Sequence, residues 1–247
     1  MGKYAILLSG GVSYGHNYIR YKNDLELAYK ALKDAGNFSD ENIYLFFADG
    51  HKQFENTQLT VCAAKKNKIQ DCLNRMIHEL SEEDELALIV SNHGGDEENG
   101  TICLWGSERI ELCLLAEWLN HIKAKKIIIL GQCFAGNILE YEISNACVFT
   151  ANEQGALSYA HMTKTNRSCL YDEFIYHFFS YIIGCYPDTG SRIPQGSYDL
   201  MQAYQYAKDN DIFNPDNEQR LKIKIEGEWI TEIPQVKNDL ADNVLRL

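Results

Sequence analysis

The chain has 247 residues, 45% of them hydrophobic and 11% aromatic, and carries a formal net charge of −12. That length and apolar share suffice for one large α/β domain or two small ones with a sizeable core. The acidic balance excludes nucleic acid as a partner, because a phosphate backbone demands clustered Lys and Arg, and it offers no attraction to an anionic membrane surface.

The apolar stretch after Met1-Gly2-Lys3 is five residues long, too short for a signal sequence, and reads as a first strand over 4–8. Ile6 stands where an N-myristoylation signal needs Ser or Thr. No run of about 18 apolar residues occurs, so no transmembrane helix is expected and the chain reads as a cytoplasmic protein without a membrane partner. The loop from Ser9 to Asn17 holds Gly10, Gly11 and Gly15. Its spacing fits neither GxGxxG nor GK[ST], so it reads as an ordinary loop ahead of a nucleotide cradle. Leu25, Ala28, Tyr29 and Leu32 share one helical face, and Gly36 ends that helix. Residues 43–48 form a second strand closed by Asp49-Gly50, and 51–67 read as an irregular excursion.

Ile69, Cys72, Leu73, Met76, Ile77 and Leu80 mark a second helix, and Glu82-Glu83-Asp84-Glu85 reads as a solvated charged face. A third strand covers 86–91, and Thr101–Trp105 reads as a short hairpin strand. A helix over 111–122 precedes a strand over 127–130, and a further strand covers 147–151. After a polar loop, 152–169, come a helix over 171–183, a turn region with Pro187, Gly190, Pro194 and Gly196, and a helix over 197–208. The alternation Leu221-Lys222-Ile223-Lys224-Ile225 reads as a half-exposed edge strand. The β-α alternation predicts a three-layer α/β/α sandwich around a mostly parallel central sheet.

Eight cysteines occur, at 62, 72, 103, 113, 133, 147, 169 and 185, none in CxxC pairs. Without an export signal they read as reduced thiols. The seven histidines show no HExxH pattern, and neither a metal nor a cofactor is expected.

Two strands end in chemistry. Ile127-Ile128-Ile129-Leu130 runs into Gly131-Gln132-Cys133-Phe134-Ala135-Gly136, and Leu86–Ser91 runs into Asn92-His93-Gly94-Gly95. Each run reads as a strand buried on both faces of a parallel sheet. If the two are neighbours, about 4.8 Å apart, Cys133 and His93 leave the sheet at one edge, where open α/β sheets bind ligands. The plainer readings are a buried structural cysteine and a hydrogen-bonded loop histidine. A cysteine thiolate is a nucleophile and a neighbouring imidazole moves protons for it, so Cys133 is assigned as nucleophile and His93 as acid and base. The backbone N–H groups of Gly94 and Cys133 are expected to hold the oxyanion.

The arrangement resembles the caspase–haemoglobinase fold of cysteine peptidases, and more closely its legumain-like branch (family C13). Legumains carry Asn-Tyr-Arg-His-x-x-Asp opening the first helix, where this chain has Asn17-Tyr18-Ile19-Arg20-Tyr21-Lys22-Asn23-Asp24. They carry Asp-His-Gly, where Asn92-His93-Gly94 stands, and a Cys-x-Ser-Gly turn, where Cys133-Phe134-Ala135-Gly136 stands. They carry Ser-Ser-Tyr-Ala and then an Asp opening a helix, where Leu157-Ser158-Tyr159-Ala160 and Asp172 stand. These matches run in order from about residue 4 to 180. The resemblance implies a single peptidase domain over 1–247, with the catalytic core at about 4–183 and a C-terminal helix and edge strand in 184–247.

It also implies a cysteine endopeptidase cutting peptides or proteins after Asn or Asp. Arg20, Ser158 and Asp172 then form the S1 pocket, and the group that orients the histidine falls at Asn17, or at Tyr18 when the motif is aligned through Arg20. An Arg and an Asp in one pocket suit a side-chain amide, which both accepts and donates. The chain departs from legumains at Phe134, where they are acidic, at Tyr21, where they have His, and at the extra Ile19. Arg20 has a plainer reading as an i, i+4 ion pair with Asp24. A transamidase or ligase using the same thioester, and a non-catalytic caspase-like scaffold, are the competing readings. Activation by a partner or by self-processing at Lys164, Asn166, Arg167, Asn238 or Asn243 is a third.

Overall fold

Unbroken branched apolar runs become strands covered on both faces, and amphipathic runs become the helices that cover them. In this computed structural model residues 1–51, 54, 57–163, 168–194, 198–225, 227–240 and 245–247 are described. The elements are β1 (Lys3–Ser9), α1 (Ile19–Asp34), β2 (Ile43–Phe47), β3 (Val61–Cys62), α2 (Lys66–Glu79), β4 (Glu85–Val90), β5 (Gly94–Gly95), β6 (Thr101–Cys103), β7 (Arg109–Glu111) and α3 (Leu112–Asn120). They continue as β8 (Lys125–Leu130), β9 (Ala146–Thr150), α4 (Glu173–Ile183), α5 (Leu200–Asn210), β10 (Lys224–Ile225), β11 (Glu228–Trp229) and β12 (Gln235–Asn238).

The central sheet has seven strands in the order β12-β9-β8-β4-β1-β2-β3, parallel except for the last, β12, which runs antiparallel to β9. Side chains alternate between two cores, as strand geometry requires. Ala5, Leu7, Ile127 and Ile129 face the layer of α1, α4 and α5, whereas Ile6, Leu8, Ile128 and Leu130 face α2 and α3. This is the expected three-layer α/β/α sandwich. No helix among the described residues is long and apolar enough to cross a membrane.

Three details differ from the sequence expectations. The irregular 51–67 excursion holds β3, paired with β2. The 221–225 alternation does not join the central sheet: Lys224–Ile225 turns back on Glu228–Trp229 in a separate hairpin, and the edge strand is β12. The acidic run 82–85 is only half solvated. Glu82 and Glu83 are exposed, but Glu85 opens β4 buried between Lys3 and Lys125, at 3.9 and 3.6 Å.

Candidate active site

The sheet's winding direction reverses between β1 and β4: the chain moves outward through β2 on one side and through β8 and β9 on the other. A crevice opens at the strand carboxyl ends at such a switch point. Three loops meet there, 10–18 after β1, 91–94 after β4 and 131–135 after β8. Val90 pairs in register with Leu130, and His93 and Cys133 each stand three residues beyond that pair. The sequence expectation that the two leave neighbouring parallel strands at one edge is met.

Gly94 fixes how closely the loops approach. A Cβ on it would lie 1.8 Å from the Cys133 carbonyl oxygen and 2.7 Å from its carbon, so only glycine lets the two backbones touch. Gly94→Ala should push the loops apart and, on the peptidase activity that the resemblance implies, lower turnover about 10²-fold, the scale of a 1 Å misplacement. Peptide turnover compared with thermal melting checks this: a variant that folds and turns over like the parent would mean the contact positions nothing. Asn92, 3% exposed, clamps the same crossing. Its Oδ1 accepts from the Gly11 N–H at 2.9 Å and its amide donates to the Cys103 carbonyl. The Cys103 N–H in turn donates to the His93 carbonyl at 3.1 Å. The Gly10–Gly11 loop thus serves as structure in the site.

Cys133 is half-buried and makes no disulfide. Its turn is rigid. Phe134 takes a left-handed conformation at φ 60°, its N–H donates to Ala156 O at 2.7 Å, and the Gly136 N–H donates to Asn152 Oδ1 at 3.1 Å. The thiol lies against Ser158, accepting from its N–H at 3.4 Å. The Cys133 N–H makes no backbone hydrogen bond among the described residues, which leaves it free to donate to a bound group. Gly94, the other expected oxyanion donor, stands in register with Ile102 in the small β5-β6-β7 sheet.

The His93 Nε2 bonds the His16 carbonyl at 2.9 Å, and the ring packs edge-on against Tyr18 and Tyr21, each 5.2 Å away. The orienting partner is therefore a backbone oxygen one residue before Asn17. Asn17 itself, expected in that role, has a buried side-chain oxygen with no hydrogen bond. Burial holds the His93 ring below the ordinary imidazole range. The His16 carbonyl opposes this, while the positive charge of Arg20 adds to it. An NMR titration of His93 in a Cys133→Ala background, which removes thiol coupling, should give a midpoint below about 6.5. A midpoint at or above that value would place the ring in solvent.

Arg20 Nε pairs with Asp172 Oδ1 at 2.7 Å, and the guanidinium lies over Tyr18 and Tyr21 with its centre 4.3 and 4.7 Å from the ring centres. The plainer reading, a pair with Asp24, is replaced by a larger cluster. Asp24 is wholly buried beside Asp172. The Ser91 hydroxyl bonds both carboxylates, at 2.5 and 3.0 Å, and the Asp172 N–H points at Asp24 at 3.2 Å. Burial, then the negative charge of Asp172, pushes the Asp24 carboxyl well above the usual carboxylate range. Asp172 is also raised by burial, with Arg20 pulling it back. Ser158, expected as a pocket partner, touches the thiol and makes no hydrogen bond to Arg20 or Asp172; the Ala160–Asp172 bridge holds its segment alongside.

Several participants escaped the sequence reading. Ser91 and the His16 carbonyl carry no local signature, and Asp24 was read only as an i, i+4 partner of Arg20, because only the fold buries or aims them. The structure also brings together His161, Glu173 and His177, where no metal ligands were expected; the signal available was the i, i+4 spacing of Glu173 and His177. Lys164, Asn166, Arg167 and Asn243, named as processing points, lie outside the described residues. Asn238 ends β12, paired with Cys147.

No family model matches the chain, and no curated protein matches it. Among solved structures it is similar to protein GSU0716 of Geobacter sulfurreducens, with a TM-score of 0.63 and 14% identity over 100% of this chain and 98% of that one. At that identity the likeness carries the fold alone.

Proposed function

We propose that the chain is a legumain-like cysteine endopeptidase of the caspase–haemoglobinase fold, cleaving peptides or proteins after Asn or Asp. The observation that supports this best is that His93 and Cys133 each follow by three residues the Val90–Leu130 register pair of neighbouring parallel strands, with the Gly94 and Cys133 backbones in contact. The Cys133 sulfur attacks the scissile carbonyl while its proton passes to His93. The C–N bond breaks as His93 returns that proton to the leaving amine, and water then hydrolyses the thioester. The free Cys133 N–H offers the developing oxyanion a donor, a group worth about 2.7–4 kcal/mol in such sites. Arg20 supplies N–H donors and Asp172 an acceptor to an amide side chain. A free Cys133 thiol suits a reducing, cytoplasmic setting.

The test is a positional-scanning peptide library, with an added amine to trap the thioester and mass spectrometry of the first thiol alkylated. Hydrolysis after Asn or Asp with Cys133 labelled first is expected. Amine-capped products in excess of hydrolysis would make the chain a ligase through the same thioester. No turnover, with Cys62 or Cys103 labelled as fast as Cys133, would leave only the scaffold reading.

A further inference from the structure

α4 starts immediately after Asp172, and its first turn carries a second group of chemistry-bearing side chains. Glu173 and His177, four residues apart, share one helix face. The Ala160–Asp172 bridge brings His161 against them. His161 Nδ1 lies 2.6 Å from one Glu173 oxygen and His177 Nε2 lies 3.1 Å from the other. One ligand atom from each residue falls within 4.8 Å of the others. Ligands on a single zinc ion, each about 2.0–2.2 Å from it, are of necessity a little closer together than that, so small side-chain shifts bring the three to one centre.

Glu173 Oε1 also accepts from the Ile212 N–H at 2.9 Å, so the carboxylate is satisfied and the unmet hydrogen bonding lies on an imidazole. His177 is 5% exposed, yet its Nδ1 is buried with no partner. Behind Glu173 stand Asp211 and Glu232, both wholly buried. Backbone N–H groups of Phe213 and Tyr159 reach one oxygen of each. The two carboxyls hydrogen-bond each other, and both are held well above the usual carboxylate range, by burial first and then by the charge of Glu173 on Asp211 and of Asp211 on Glu232. Three carboxyl groups and two imidazoles therefore share the interior, and among the described residues no lysine or arginine pairs with them. A cavity of about 460 Å³, lined in part by His161 and His177, gives an entry path and room for a water ligand.

We propose that His161, Glu173 and His177 form a binding site for a divalent transition-metal ion of the zinc class. Two imidazoles and one carboxylate, with a fourth position open to water, are a donor set zinc takes, whereas magnesium and calcium seek oxygen ligands. The ion would fasten the segment carrying Ser158, which lies on the Cys133 thiol, to the helix that follows Asp172. The Glu173 N–H already bonds the Tyr159 carbonyl at 2.9 Å, so the route is short. The site stands whether or not the peptidase reading does.

The test titrates the full chain with Zn²⁺ by calorimetry after accessible thiols are blocked with iodoacetamide, and with Co²⁺ by absorption, where a thiolate charge-transfer band reports sulfur ligation. One equivalent should bind without that band. His161→Gln, at the most exposed of the three positions, should weaken binding at least about tenfold, since even outer-shell changes cost that much. In the unsubstituted protein, Zn²⁺ should slow amide exchange at 159–161 and 173–177, a readout that needs no variant to fold. No binding once thiols are blocked, unchanged affinity in His161→Gln, or exchange protection confined to other segments would each overturn the site.

Discussion

Cys133→Ala is expected to lower kcat on the order of 10⁶-fold, the scale of removing a hydrolase's nucleophile, while the protein unfolds within about 1 kcal/mol of the parent. The two effects separate because the thiol does little for the turn that carries it. Its contacts to Ser158 are long sulfur contacts of 3.4 to 3.7 Å. The turn itself is held by the Phe134 N–H on Ala156 and the Gly136 N–H on Asn152. Cys103 is the informative control, since it lies near enough to sense the Cys133 charge but is raised by its own burial and so disfavours the thiolate. Cys103→Ala should keep turnover, and denaturant melts of both variants should overlay the parent. Retained cleavage in Cys133→Ala, or its loss in Cys103→Ala, would move the nucleophile and remove the peptidase reading.

What the sequence revealed follows from which interactions are local. β4 and β8 are legible because Leu86–Val90 and Ile127–Leu130 admit no polar residue, which only burial on both faces explains. Their ends are legible for the same reason, and with them His93 and Cys133. β12 is not legible: in Gln235-Val236-Lys237-Asn238 only Val236 is apolar, and pairing with β9, not propensity, makes it a strand. The 221–225 alternation is a genuine local signal, but alternation cannot name the partner strand. Gly94–Gly95 has no side chains to form a pattern. In the site, Arg20 and Asp172 were singled out only through the resemblance to legumains. Asp24 and Ser91 needed coordinates, because a buried aspartate and a surface aspartate read alike. The His16 carbonyl marks the limit, since a backbone oxygen belongs to every residue type.

Arg20→Gln is expected to destabilise the fold by about 3–5 kcal/mol at neutral pH, the cost of leaving a buried charge without its partner, and to remove cleavage after Asn or Asp. Arg20 is the cation paired with Asp172, and Asp24 lies against the same carboxylate with Ser91 shared between them. Burial already raises the Asp24 carboxyl, and Arg20 pulls it down. A carboxyl with a raised folded pKa favours the fold at pH below its unfolded value and loses that stability as pH rises through the folded one. Without Arg20 the carboxyl rises further, so the deficit is largest at neutral pH and shrinks on acidification toward about pH 5. Denaturant melts at the two pH values check that sign. The double variant Arg20→Gln, Asp172→Asn then divides structure from specificity. With one carboxylate and the cation both gone, stability should return to within about 1–2 kcal/mol of the parent, since a buried pair replaced as a unit is often nearly neutral. Cleavage should stay at least about 10²-fold down, because the donor and the charged acceptor for the substrate amide are both lost. If the double variant regains cleavage with its stability, the Arg20–Asp172 pair only holds α1 to α4, and the residue that selects Asn or Asp lies elsewhere in the crevice.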